Sequence, residues 1–152
     1  MTIPNPVFFY QLFFYFSRPQ VRKFIRQIEK ETTRWPFLMV KTHPFGGREF
    51  NLDDREVAHI HWNGDLDILF KSDLVHELIT QKIAGKHRFV PGKAVTFKLG
   101  SRKDLPDAIA LMRLSYLIHE KKATKDDPKL LAATEQRIKE LPYNQDILDL
   151  IK

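Results

Sequence analysis

Hydrophobic and polar positions along the chain change period several times, and each change marks an element. Val7 to Phe16 (VFFYQLFFYF) is apolar almost all round, which predicts a short helix without a polar face. After Pro19, Val21, Phe24, Ile25 and Ile28 recur at helical spacing with Arg22, Arg26 and Lys30 on the other side, predicting an amphipathic helix that ends near Trp35-Pro36. From Phe37 the texture shortens. Phe37 to Val40 is a short apolar run, His43 to Gly47 is turn material, and Arg48 to Leu52 predicts a second strand before the turn at Asp53 to Arg55. Val57 to Trp62 and Asp65 to Phe70 alternate on either side of Asn63-Gly64, a strong hairpin signal.

The second half alternates more coarsely. Ser72 is placed to cap a helix whose stripe is Leu74, Val75, Leu78, Ile79 and Ile83 and whose stop is Gly85. His87 to Val90 and Ala94 to Leu99 flank Pro91-Gly92-Lys93 and predict another hairpin. A long helix follows Asp104 through Leu105, Ile109, Met112, Tyr116 and Leu117. Asp127-Pro128 opens a further helix to Leu141, and a short one follows Pro142.

Strands in runs joined by tight turns imply antiparallel pairing, and helices grouped before and after imply packing on one face. The expected architecture is α+β, an antiparallel sheet of about five to six strands with helices on one face and helices at both termini. A single domain over residues 1–152 is expected: a hydrophobic N-terminal helix (1–18), a core (37–120) and C-terminal helices (127–152). The alternating βαβ pattern of nucleotide-binding folds is absent, and Gly46-Gly47 alone is no phosphate loop.

Composition narrows the function classes. The 152 residues are 43% hydrophobic with twelve phenylalanines, which fits one folded core. The lack of cysteine excludes disulfides, thiolate metal sites and a cysteine nucleophile. A net charge of +6 favours salt-sensitive contact with anions, but the basic residues follow one helix without a stacking platform, so no nucleic-acid partner is expected. The Val7 to Phe16 segment is too short to span a bilayer and lacks a signal-peptide pattern. It is read as a buried helix or as an interfacial anchor giving peripheral membrane contact through residues 7–16 of a cytoplasmic protein.

The candidate chemistry lies in His59-Ile-His-Trp-Asn-Gly-Asp-Leu-Asp67. A two-residue Asn-Gly turn would place polar rings on the apolar face. A three-residue Trp62-Asn63-Gly64 loop with left-handed Gly64 instead pairs His59 with Asp67 and His61 with Asp65. That register collects Ala58, Ile60, Leu66 and Ile68 on a core face and leaves His59, His61, Asp65 and Asp67 together on the other. A carboxylate opposite an imidazole holds its tautomer and raises its basicity, which serves a general base or a metal ligand equally. Three readings stay open: an organic-ligand site, a metal site of His59 and His61 with His87 or Asp67 as third ligand, and a merely solvated charge pair. Arg48 and Glu49 lie just after Gly46-Gly47, where absent side chains would let a ligand approach the backbone, or where a turn simply carries a surface ion pair. His43, His76 and His119 are expected on the surface.

Taken jointly and in order, His43-Pro-Phe-Gly-Gly-Arg-Glu-Phe50, Arg55-Glu-Val-Ala-His-Ile-His61, Gly64 with Asp67, His87 with Val90-Pro91, and Ala110-Leu-Met-Arg-Leu-Ser-Tyr116 resemble the luciferase-domain family, over roughly Phe37 to Glu120. That family includes the fungal luciferases and many uncharacterised microbial proteins. The resemblance implies oxygenation of an enolisable hydroxypyrone-type small molecule with O₂ and no cofactor. It implies His59 or His61 as base, Asp67 as orienter, Arg48 as enolate clamp and His87 as a second proton-transfer group, with Gly46, Gly47, Glu49, Trp62 and Tyr116 around the substrate. The chain departs from its relatives at Pro91-Gly-Lys-Ala94, where they tend to carry a tryptophan.

Overall fold

The computed structural model describes residues 6–151; residues 1–5 of the expected N-terminal segment and Lys152 lie outside them. The chain runs α1 (Pro6–Ser17), α2 (Pro19–Thr32), β1 (Leu38–Thr42), β2 (Arg48–Leu52), β3 (Arg55–Ile60), β4 (Asp65–Leu69), α3 (Ser72–Thr80), β5 (Gly85–Lys86), β6 (Ala94–Lys98), α4 (Leu105–Ala123), α5 (Pro128–Lys139) and α6 (Gln145–Asp149). The strands form one six-stranded antiparallel sheet in the order β1-β2-β3-β4-β6-β5. This is the α+β architecture expected, with helices at both ends.

The face carrying Ala58, Ile60, Leu66 and Ile68 is sealed. Leu111, Met112, Leu114 and Leu117 of α4, a helix buried nearly all round, belong to the same core, as do Ile25 and Ile28 of α2, which carries one apolar stripe at 3.6-residue spacing. The Ser115 hydroxyl donates to the Val57 carbonyl at 2.7 Å and ties α4 to β3. Each fully buried aliphatic side chain contributes about 1.5–3 kcal/mol relative to exposure, so this face fixes the sheet and frees the other for polar chemistry.

Three expectations need correction. Helix α3 ends at Thr80 rather than at Gly85, because Lys82 takes a left-handed turn (φ 58°) and the N–H groups of Ile83 and Ala84 return to the Leu78 carbonyl. That early stop frees Gly85 to join β5, and Ser72 is the first helical residue rather than a side-chain cap. His87 to Val90 is not a strand: the His87 Nδ1 accepts the N–H groups of Phe89 and Val90, at 3.1 and 3.2 Å, which a ladder would need. Strand β6 pairs on one edge with β4, from Asp65 against Lys98 to Leu69 against Ala94, and on the other with Gly85 and Lys86 of β5.

The third correction concerns α1, for which burial was one of two readings. Only Gln11 is buried along it, while Phe13 and Phe16 are 64% and 68% exposed. The helix docks through Gln11, whose Oε1 accepts the Asn63 N–H at 3.2 Å, and through Tyr15, whose ring meets Trp62 edge-on at 4.9 Å. Among the described residues no helix is long and apolar enough to cross a membrane.

Candidate functional site

Strands β3 and β4 pair His59 with Asp67 and Ile60 with Leu66, and the His61 N–H donates to the Asp65 carbonyl at 2.9 Å. The loop between them is the expected three-residue one, with Gly64 left-handed (φ 95°). A Cβ on Gly64 would stand 2.3 Å from the Leu99 carbonyl oxygen, and the Leu99 N–H donates to the Gly64 carbonyl, so the hairpin tip is clamped onto the end of β6.

The polar face of this hairpin gathers imidazoles around one carboxylate oxygen. Asp67 Oδ2 lies 3.4 Å from His59 Nε2, 3.4 Å from His61 Nε2 and 3.6 Å from His87 Nε2. The Thr96 hydroxyl, in the next strand row, donates to Asp67 Oδ1 at 2.5 Å, which turns Oδ2 toward the rings. Each imidazole has its far nitrogen assigned. His61 Nδ1 donates to the Gly46 carbonyl at 3.1 Å, and His59 Nδ1 donates to Glu56 Oε1 at 2.5 Å, so in the neutral rings both Nε2 atoms present lone pairs. His87 is the opposite case: its Nδ1 accepts two backbone N–H groups, so its Nε2 carries the proton that faces Asp67.

Sequence reasoning missed two members of this cluster. Glu56 stands three residues before His59, and strict alternation would send it to the opposite face. The β2–β3 register slips, however, so that Phe50 opposes Ala58 while Asn51 opposes Glu56, and Val57 becomes the extra residue of a bulge. The bulge turns Glu56 onto the face of His59. The adjacent apolar pair Val57-Ala58, both buried, was the available signal. His43, expected on the surface, is only 7% exposed and stacks on His59 with ring centroids 4.3 Å apart and planes at 16°. It arrives there because the β1–β2 turn folds back over β3.

Burial drives these groups toward neutrality, and their partners decide which escape. Burial, reinforced by the charges of His59 and His61, lowers the His43 pKa to about 4. Burial opposes charge on His59 as well, but hydrogen bonds to Asp67 and Glu56 outweigh it and raise its pKa to about 9. Burial likewise pushes Asp67 upward, yet its bonds to His59, His61 and Thr96 hold it well below the usual carboxylate range. The bond to His59 lowers Glu56.

Other expected site residues are placed elsewhere. Arg48 pairs across the strand with Ile60, on the core side, where its guanidinium meets Glu29 of α2 and lies 5.3 Å from the Trp62 ring centroid; it is not a clamp over the histidines. The room beside the glycines is taken by the protein. A Cβ on Gly47 would fall 2.0 Å from the Ile60 carbonyl oxygen and one on Gly46 2.7 Å from Gln11 Cβ, so neither offers its backbone to a ligand. Glu49 shares the strand row of His59, with its carboxylate accepting from Asn51 at 2.9 Å. Trp62 packs against Tyr15, outside the cluster. Tyr116 is fully buried against Trp35, its hydroxyl donating to the Pro36 carbonyl, and lies on the far side of the core from the cluster's face. His119 is half-buried rather than on the surface.

A cleft of about 1510 Å³ runs along this face and past the edge of the sheet, with the histidine cluster in its wall. Tyr10, Phe45, Arg88 and Phe89 also line it. His59, His61 and Asp67 each offer a ligand atom within 4.8 Å of the others, the group among the described residues that can hold a metal ion.

Fold and site together define an α+β domain with a histidine–carboxylate centre facing a cleft. Residues 54–115 match the family model for the Luciferase domain, a match that supports assignment to the luciferase-domain family. The matched stretch contains Glu56, His59, His61, Asp67 and His87 and leaves out His43 and the 46–49 segment. No curated protein and no solved structure matches the chain.

Proposed function

We propose that this luciferase-like protein is a metal-dependent enzyme that holds a divalent first-row metal through His59 Nε2, His61 Nε2 and Asp67 Oδ2 and binds a small molecule in the adjoining cleft. The observation that carries the reading is the convergence of His59 Nε2 and His61 Nε2 on one carboxylate oxygen at 3.4 Å each. With metal–ligand bonds of about 2.0–2.1 Å, neighbouring ligand atoms in a tetrahedral site stand about 3.3–3.4 Å apart. Once deprotonated, two imidazole nitrogens at that distance from a carboxylate oxygen are complementary to a cation.

The outer contacts support it further. Every one of the three ligands is oriented from behind, His59 by Glu56, His61 by the Gly46 carbonyl and Asp67 by Thr96, the pattern that fixes tautomer and ring plane at metal centres. Two histidines and one carboxylate leave coordination positions open for an oxygen donor of the substrate. His87, with its Nε2–H, serves as a hydrogen-bond donor beside them rather than as a ligand.

The test is metal stoichiometry. Chelator-treated protein titrated calorimetrically with Zn²⁺, and with Fe²⁺ under anaerobic conditions, takes up one ion per chain, and His61→Ala and Asp67→Asn abolish that uptake. Absence of stoichiometric binding by the wild-type protein removes the proposal. A metal-free reading shares one observation, His61 in the wall of the cleft with its Nδ1 held by the Gly46 carbonyl. There, His61 takes a proton from an enolisable substrate, and the enolate adds O₂ to give a substrate peroxide. Oxygen uptake with a hydroxypyrone by chelator-treated protein, lost in His61→Ala, would select it.

A further inference from the structure

Helix α1 leaves Phe8, Phe9, Tyr10, Leu12, Phe13 and Phe16 exposed by 37–68%, and it carries no charged residue. Its docking to the body uses Gln11 and Tyr15 instead. An apolar surface of this extent on a folded chain needs a covering partner. The charges beside it specify which. Helix α2, which follows directly, exposes Lys23, Arg26 and Lys30. Its acidic residues are already engaged, Glu29 by Arg48 and Glu31 by Arg34 at 3.5 Å. At the junction, the guanidinium of Arg18 lies 4.9 Å from the Phe14 ring centroid and that of Arg22 lies 4.5 Å from Tyr15.

We infer that α1 lies in the headgroup region of an anionic lipid bilayer, its phenylalanines inserted and the basic residues of α2 against the lipid phosphates. Twelve residues are too few to cross, since a spanning helix needs about 20, so the helix lies in the plane of the interface. A twofold dimer closed through α1 would bring two cationic α2 helices to one interface, which disfavours a second copy as the occupant. Docking also has a consequence for the cleft. Tyr10 and Gln11 belong to its lining, so one wall of the cleft rests on lipid and an amphiphilic molecule reaches it from the bilayer side. This inference is independent of the metal reading.

The experiment is flotation of the full chain with phosphatidylcholine vesicles, with and without phosphatidylserine. The protein floats with the anionic vesicles and stays behind with the neutral ones. Combined Lys23→Gln, Arg26→Gln and Lys30→Gln substitution weakens binding on the order of a hundred-fold, as removal of about 1 kcal/mol per cation requires. Phe13→Asp with Phe16→Asp abolishes flotation, and an unchanged unfolding midpoint shows that the exposed substitutions leave the fold intact. Failure to float with anionic vesicles, equal flotation with neutral ones, or retention in the phenylalanine variant overturns the inference. So does a dimer in light scattering that the phenylalanine substitutions dissociate without any vesicle binding.

Discussion

Glu56 shows how one residue's position relative to a bulge decides its chemistry. Without the extra residue at Val57, its carboxylate would point away from His59; with it, the carboxylate holds the His59 Nδ1–H at 2.5 Å. If His59 ligates a metal, Glu56 orients the ring and strengthens its donor atom. Glu56→Gln is therefore expected to weaken Zn²⁺ binding by about 10–100-fold in a calorimetric titration, the usual loss when a ligand's supporting partner is removed. Unchanged affinity would show that His59 needs no such support or is no ligand. His59, His61 and Asp67 were legible because alternation along two strands leaves few ways to hide polar rings from a core. Glu56 and His43 were not, since a bulge and a folded-back turn follow no period.

At the level of elements, the hairpin register rests on Gly64. Its left-handed φ and the 2.3 Å approach of the Leu99 carbonyl to a would-be Cβ leave no room for a side chain. Gly64→Ala is expected to cost at least about 1–3 kcal/mol, read as a lower urea midpoint at unchanged slope. A variant as stable as wild type would mean the tip relaxes freely away from β6. The Asn-Gly signal, the apolar set Ala58, Ile60, Leu66 and Ile68, and the Asp127 cap, which accepts from the N–H groups of Lys129 and Leu130, were all local and readable. The stop of α3 at Lys82 was less so, because a lysine in a left-handed turn carries no sequence mark comparable to glycine. Likewise, nothing local foretold that β6 would pair with β4 once His87 had captured the N–H groups of its own loop.

For the whole molecule, the cluster makes metal-free stability depend on pH in both directions. His59 has its folded pKa raised to about 9, so its contribution is complete below the unfolded histidine value of about 6.5 and is lost as pH rises toward 9. His43 has its folded pKa lowered to about 4, so its contribution is complete above about 6.5 and is lost as pH falls toward 4. Thermal midpoints of chelator-treated protein are expected to peak near neutrality and to decline on both sides. His43→Phe should flatten the acid limb between those values. A midpoint that changes in one direction only across this range would contradict the balance.

Local order along the chain was enough to determine the α+β class, the antiparallel pairing of β3 with β4 and the face on which His59, His61 and Asp67 emerge. Those features follow from periods of 2 and 3.6 and from turn chemistry, which are written into neighbouring residues. Tertiary structure alone decided what surrounds that face: His43 stacked from a distant turn, Glu56 rotated in by a bulge, Arg48 drawn to Glu29 on the other side, and α1 left with its phenylalanines exposed. Each of these depends on contacts between residues far apart in the chain or on a break in strand register, and neither has a periodic signature.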